Sequence, residues 1–183
     1  MARVEPIQPD DLTPDGRAIF DEIAGPREGT VNGPFLVWLR SDPELTRRLN
    51  RVSDVLRVNG TLDKRFFEIA VLCIARQWES NYQWSVHSRF AQQAGLSEDA
   101  IESIRTGREP QFDADDERVV YQAMAELTAE KTISAPNYDA LLALLGFEQV
   151  AELVTTAAWY GMAGTVTNAF EIEPPSGKQY FVN

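Results

Sequence analysis

Asp63-Lys64-Arg65-Phe66-Phe67-Glu68-Ile69-Ala70-Val71-Leu72-Cys73-Ile74-Ala75-Arg76 carries the strongest structural signal in this chain. From Phe66 to Ala75 every position is apolar except Glu68, the pattern of a helix surrounded by other helices. Its β-branched residues would also permit a strand, but no other segment reads as one, so helix is the assignment. Thr61 or Asp63 caps its start, and Asn59-Gly60 closes the helix before it.

Outward from this segment the punctuation is helical throughout. On the N-terminal side, Thr13-Pro14-Asp15 opens a helix that ends near Gly25. A stretch broken by glycine and proline then runs from Gly25-Pro26 to Asn32-Gly33-Pro34. Ser41-Asp42-Pro43-Glu44 starts a helix whose apolar positions Leu45, Leu49, Val52 and Leu56 predict a core-facing stripe. On the C-terminal side, helices are expected at 81–93 with a stop at Gly95, and from Ser97-Glu98-Asp99 to Gly107. A longer one opens at the acidic run 113–117, and two more cover 136–145 and 147–170 about Gly146. The expectation is an all-α single domain over 1–183 with about seven or eight helices.

Composition bounds the function. The 183 residues carry 28 Asp+Glu against 17 Lys+Arg, a formal charge of −11, which argues against a nucleic-acid backbone or an anionic membrane as partner. One cysteine, Cys73, excludes an intrachain disulfide and a CxxC redox pair, and one histidine, His87, leaves no histidine metal site. No apolar run approaches the roughly 20 residues of a membrane span, and Met1-Ala2-Arg3-Val4-Glu5 does not open a signal peptide. A cytoplasmic location is expected.

Glu68 is the first candidate for chemistry. A carboxylate in an apolar helix must find a partner or a proton; the competing reading is an ion pair with Arg65, Arg76 or another arginine that serves architecture alone. His87 follows Gln83 by four residues and Trp84 by three, which puts all three on one helical face. An imidazole can give or take a proton near neutrality; the competing reading is a packed histidine. Tyr82 and Trp84 are packing residues first, with polar tips that can orient a ligand. Cys73 reads as a small buried hydrophobe, and Trp159-Tyr160-Gly161-Met162 as core or interface.

Together these residues resemble the carboxymuconolactone decarboxylase family, which includes alkylhydroperoxidase D-like proteins. The likeness runs through Asp63–Leu72 with Ala75-Arg76, Asn81–His87, Ala94-Gly95-Leu96-Ser97 and Ile101–Gly107, with a core at 60–107. Gly33-Pro34-Phe35, Glu152-Leu153-Val154, Tyr160 and Asn168 flank it. Glu68 and His87 stand at the family motif's glutamate and histidine, whereas Ser80 and Gln83 occupy its two cysteine positions. A thiol peroxidase needs a nucleophilic and a resolving thiol, so that activity is rejected. Cysteine-free relatives usually carry glutamate where this chain has Gln83.

The resemblance implies a cofactor-free lyase acting on a small carboxylated lactone or aromatic ring-cleavage product. His87 would donate the proton, Glu68 orient and charge it, Gln83 and Trp84 stabilise the developing oxyanion, and Arg65 or Arg76 hold the substrate carboxylate. The chemistry calls for no metal or organic cofactor. A non-catalytic helical module that binds a small molecule or a protein is the alternative. The family resemblance also implies a homo-oligomer, trimer or hexamer. The apolar band Val150, Leu153, Val154, Ala157, Ala158, Trp159 and Met162 is expected to contribute to its interface.

Overall fold

The computed structural model describes residues 3–25 and 30–182. Residues 26–29 of the punctuated stretch, and Met1-Ala2 of the opening pentapeptide, lie outside the described residues. Among those described there are eight α-helices, one short 3-10 turn at Pro9–Asp11, and no strand. The chain divides into two compact units, residues 1–60 with 165–173, and 61–164 with 174–183.

In the first unit, helix α1 (Pro14–Ala24) begins as expected, with the Thr13 hydroxyl accepting from the Gly16 N–H. Helix α2 (Pro34–Ser41) was not expected. Phe35, Leu36, Val37, Trp38 and Leu39 are all buried, so the segment shows no polar side and no periodicity by which to recognise it. Helix α3 (Pro43–Arg57) is capped by Asp42, whose carboxylate accepts from the Glu44 and Leu45 N–H groups. Its orientation departs from the expected stripe. Thr46, Asn50, Ser53 and Leu56 face inward, whereas Leu45 and Val52 are each 42% exposed. The inward face tolerates polar groups because they are partly satisfied locally: the Thr46 hydroxyl donates to the Asp42 carbonyl and the Asn50 amide to Asp54. Arg3 closes this unit on 165–173, donating to the Ala169 carbonyl and pairing with Glu171 at 2.6 Å.

In the second unit, helix α4 (Lys64–Gln77) is the buried centre, packed against α5 (Asn81–Ala94), α6 (Glu98–Thr106) and α7 (Asp115–Glu130). Ile69, Ala70, Val71, Leu72 and Ala75 have no exposed surface, as the all-apolar pattern predicts. Asp63 caps α4, Ser80 caps α5 and Ser97 caps α6; Gly95 and Gly107 close α5 and α6 in the left-handed conformation. Glu152 ties down the approach to α4, accepting from the Thr61 N–H, the Thr61 hydroxyl and the Leu62 N–H.

Helix α8 (Ala135–Ala169) breaks at Gly146, whose φ of 74° and ψ of 166° are open only to glycine, so the expected pair of helices is present. Contrary to the expectation of no such run, α8 is long and apolar enough to cross a membrane, with an 18-residue window of mean hydropathy 1.4. The many alanines and leucines raise that average. Leu141, Val150, Leu153, Ala157, Trp159 and Tyr160 are nevertheless buried in the chain itself.

Candidate active site

The site is built where α4, α5 and α8 meet inside the second unit. Glu68 projects from α4 and His87 from α5, and His87 Nδ1 lies 2.8 Å from Glu68 Oε2. Both residues are 5% exposed. With the carboxylate ionised, Nδ1 carries the hydrogen, and Nε2 is the nitrogen left to exchange protons. The arginine partnership considered for Glu68 is not the one the helices make.

A third aromatic wall comes from α8. The Tyr160 ring stands edge-on to the imidazole with centroids 4.7 Å apart, and edge-on to Phe67 at 5.7 Å. Phe90 approaches the imidazole from its own helix at 5.8 Å. These rings fix the imidazole plane while Glu68 fixes its rotation. Sequence reasoning had placed Tyr160 in a core or interface cluster. The available signal was the pair Gly161 and Gly164, small residues that mark a close helix approach.

Gln83 occupies a different position from the one expected of an oxyanion donor. It is 3% exposed, and its Nε2 donates to the Tyr160 carbonyl at 2.8 Å. Its Oε1 is buried without a partner and faces the Gly164 backbone, where a Cβ would come within 2.8 Å. An amide makes this clasp and an ionised carboxylate does not, because only the amide donates to a carbonyl. Trp84 is likewise withdrawn: it is 2% exposed and stacks edge-on with Phe181 at 5.4 Å. Asn81 secures that C-terminal strap, accepting from the Tyr180 and Phe181 N–H groups and donating to the Phe181 carbonyl. Tyr82 is half-buried on α5.

The two arginines differ. Arg65 pairs with Asp63 at 2.9 Å, Asp116 at 3.3 Å and Glu117 at 2.9 Å, which pushes its own pKa up and holds Asp63 below the usual carboxylate range. Arg76 pairs with Glu79 at 3.3 Å and lies over the Phe181 ring at 5.8 Å, with Nε buried and unpartnered. At the positions of the family's cysteine pair, Ser80 is fully buried and Gln83 is clasped. Burial pushes the Cys73 thiol up to about 12, so it is no thiolate source near neutrality. No group of three or more metal-ligating side chains occurs among the described residues.

Residues 43–126 match the carboxymuconolactone decarboxylase family. Over those 84 of the 183 residues the chain is similar to that family. Among solved structures, an uncharacterized peroxidase-related protein of a Silicibacter species is 18% identical, with a TM-score of 0.75 over 98% of this chain and 96% of that one. The alkylhydroperoxidase AhpD core protein of Ralstonia eutropha, also described as peroxidase-related, is 16% identical, with a TM-score of 0.74 over 94% and 92%. A debrominase in complex with 2,3,4-tribromopyrrole is 14% identical, with a TM-score of 0.74 over 95% and 92%. At these identities the likeness establishes the AhpD-like fold. No curated protein matches the sequence significantly.

Proposed function

We propose that the chain is a cofactor-free lyase that decarboxylates a small carboxylated lactone or aromatic ring-cleavage product. The observation that carries this reading is the buried Glu68–His87 pair, 2.8 Å apart and walled by Tyr160. The debrominase of the same fold is bound to a small substituted ring, which is compatible with a substrate of that size.

In this reaction the carbon–carbon bond to the substrate carboxylate breaks, carbon dioxide leaves, and the electron pair passes onto the conjugated lactone carbonyl. The donor form of His87 is the imidazolium: the enolate takes a proton on carbon from its Nε2, the ring is left as the Nδ1–H imidazole, and solvent returns a proton to Nε2. The Glu68 carboxylate accepts from Nδ1–H in both forms and holds the ring in one orientation. Arg65 is committed to three carboxylates, so Arg76 is the arginine assigned to the substrate carboxylate. Gln83 acts through the position of Tyr160.

The test is a screen of lactone and ring-cleavage acids for carbon dioxide release in deuterated water. Turnover should place one solvent deuteron on the product carbon, and His87→Ala should slow it about 10²–10⁴-fold, the usual worth of a positioned proton donor. Undiminished turnover by His87→Ala would refute the assignment. Specific binding of such an acid with no release of carbon dioxide would favour the non-catalytic alternative.

A further inference from the structure

Buried polar atoms in folded chains are almost always hydrogen-bonded, so an unpartnered one marks a place where a partner is still to come. Among the described residues four buried side-chain atoms have no partner: Asn50 Oδ1, Arg76 Nε, Gln83 Oε1 and Thr156 Oγ1. Asn50 lies in the first unit, and its oxygen can only accept. Gln83 Oε1 also accepts alone, and Arg76 is already assigned to the substrate carboxylate. Thr156 differs from all three. Its hydroxyl is the one neutral donor of the four, and the residue has no exposed surface.

The contacts on either side set its place. Glu152, Thr156 and Tyr160 lie on the continuous part of α8 beyond the Gly146 break. One turn before Thr156, Glu152 accepts from the Thr61 and Leu62 N–H groups at the approach to α4. One turn after it, Tyr160 stands edge-on to Phe67 and to the His87 ring. Residues four apart share a helical face, so Thr156 faces α4 between those two contacts. Helical side chains lean toward the helix N-terminus, which carries the Tyr160 ring back over the turn that holds Thr156. The hydroxyl therefore lies at the foot of the ring that walls the imidazole.

We infer that the Thr156 hydroxyl is the hydrogen-bond donor to the carbonyl oxygen of the substrate lactone. The inference rests on the decarboxylation proposed above, in which the electron pair released with carbon dioxide passes onto that oxygen. A donor is needed there, and neither expected one is free. Gln83 Nε2 donates to the Tyr160 carbonyl, and Trp84 packs on Phe181. The Thr156 hydroxyl keeps its proton throughout. It gives a hydrogen bond that strengthens as negative charge gathers on the oxygen, while the proton that ends on carbon comes from His87 Nε2. Glu68 and His87 are each 5% exposed, so the bond forms away from bulk water, where it is stronger than in solvent. Until the carbonyl arrives, the buried hydroxyl destabilises the fold relative to a methyl group of the same shape.

Thr156→Val and Thr156→Ser separate this role from a structural one. Valine keeps the shape and removes the hydroxyl. It should hold or raise the thermal midpoint, since no hydrogen bond is lost; a clear fall would overturn the inference by showing that the hydroxyl is already bonded. In the screen of acids, Thr156→Val should lower kcat about 10²–10³-fold, the usual effect of removing one oxyanion donor, and Thr156→Ser should recover most of it. Undiminished turnover by Thr156→Val would overturn the inference. A second measurement uses muconolactone, an unsaturated lactone acid with no carboxylate placed to leave, isotopically labelled at its ring carbonyl. Isotope-edited infrared spectra should show that carbonyl at lower frequency with the wild type and Thr156→Ser than with Thr156→Val. Equal bands with the wild type and Thr156→Val would overturn the inference. A lower band with a chain that releases carbon dioxide from none of the screened acids would support the donor and remove the lyase reading, so the two fail separately.

Discussion

Gly164→Ala tests the clasp that joins α5 to α8. The added Cβ would stand 2.8 Å from Gln83 Oε1 and 3.4 Å from the Trp78 Cβ, so it needs about 0.6 Å of movement to reach ordinary contact at the amide. Gln83 is buried and has no free rotamer to take without abandoning the Tyr160 carbonyl. Overpacking of this kind costs about 1–3 kcal/mol. A buried amide that loses its acceptor adds about 1–3 kcal/mol. Replacing a helical glycine by alanine returns up to about 1 kcal/mol. The net is a loss of about 3 kcal/mol, or roughly 6–12 °C in Tm for a chain of this size. Gly161→Ala, one turn earlier, is the internal control: its Cβ meets Trp78 Nε1 at an ordinary 3.5 Å. It should raise stability by a few tenths to about 1 kcal/mol. Urea and thermal melts of both variants decide the matter. A Gly164→Ala protein as stable as Gly161→Ala would refute the geometry of the clasp.

Gln83→Glu should destabilise the chain increasingly as pH rises above the ordinary glutamate value of about 4.3, since a buried carboxylate facing the Tyr160 carbonyl binds a proton more tightly folded than unfolded; denaturation at pH 5 and pH 8 would show the widening gap. Arg65→Met should lose about 3 kcal/mol near neutrality by stranding the buried Glu117. Because Arg65 lowers Asp63 below its ordinary 3.8, the wild type should lose that pairing as pH falls below 3.8, and the variant's acid denaturation should be correspondingly shallower. Cys73, with its thiol at about 12, should react with a disulfide reagent at pH 8 only after unfolding, and a fast native reaction would contradict its burial.

Helix ends were the most legible part of the sequence because their causes are local. Thr13, Asp63 and Ser97 each bond a backbone N–H within three residues, and Gly95, Gly107 and Gly146 take backbone conformations that their lack of a Cβ permits. The contact between Glu68 and His87 could be anticipated, since a lone buried carboxylate and a lone histidine each needed a partner. Helix α2 was not legible, because five consecutive buried apolar residues erase the periodicity that marks a helix. Helix α3 packs with α1 and α2 and buries Thr46, Asn50 and Ser53, a tertiary choice that overrides the pattern of its own leucines and valines. Tyr160 and Gln83 meet across 77 positions, a separation at which neighbouring residues carry no information.

The division of the chain into units also has a consequence for its synthesis. The N-terminal unit consists of residues 1–60 and 165–173, so its first three helices leave the ribosome well before the segment that completes it. At about 5–20 residues per second the interval is on the order of 5–20 s. During it, the pairing of Arg3 with Glu171 does not yet exist. The second unit also closes late, since residues 174–183 bring Phe181 onto Trp84 and the Asn81 amide. The N-terminal helices wait longest for their closing segment, and they are the part that a chaperone or a nascent-chain protease would encounter open.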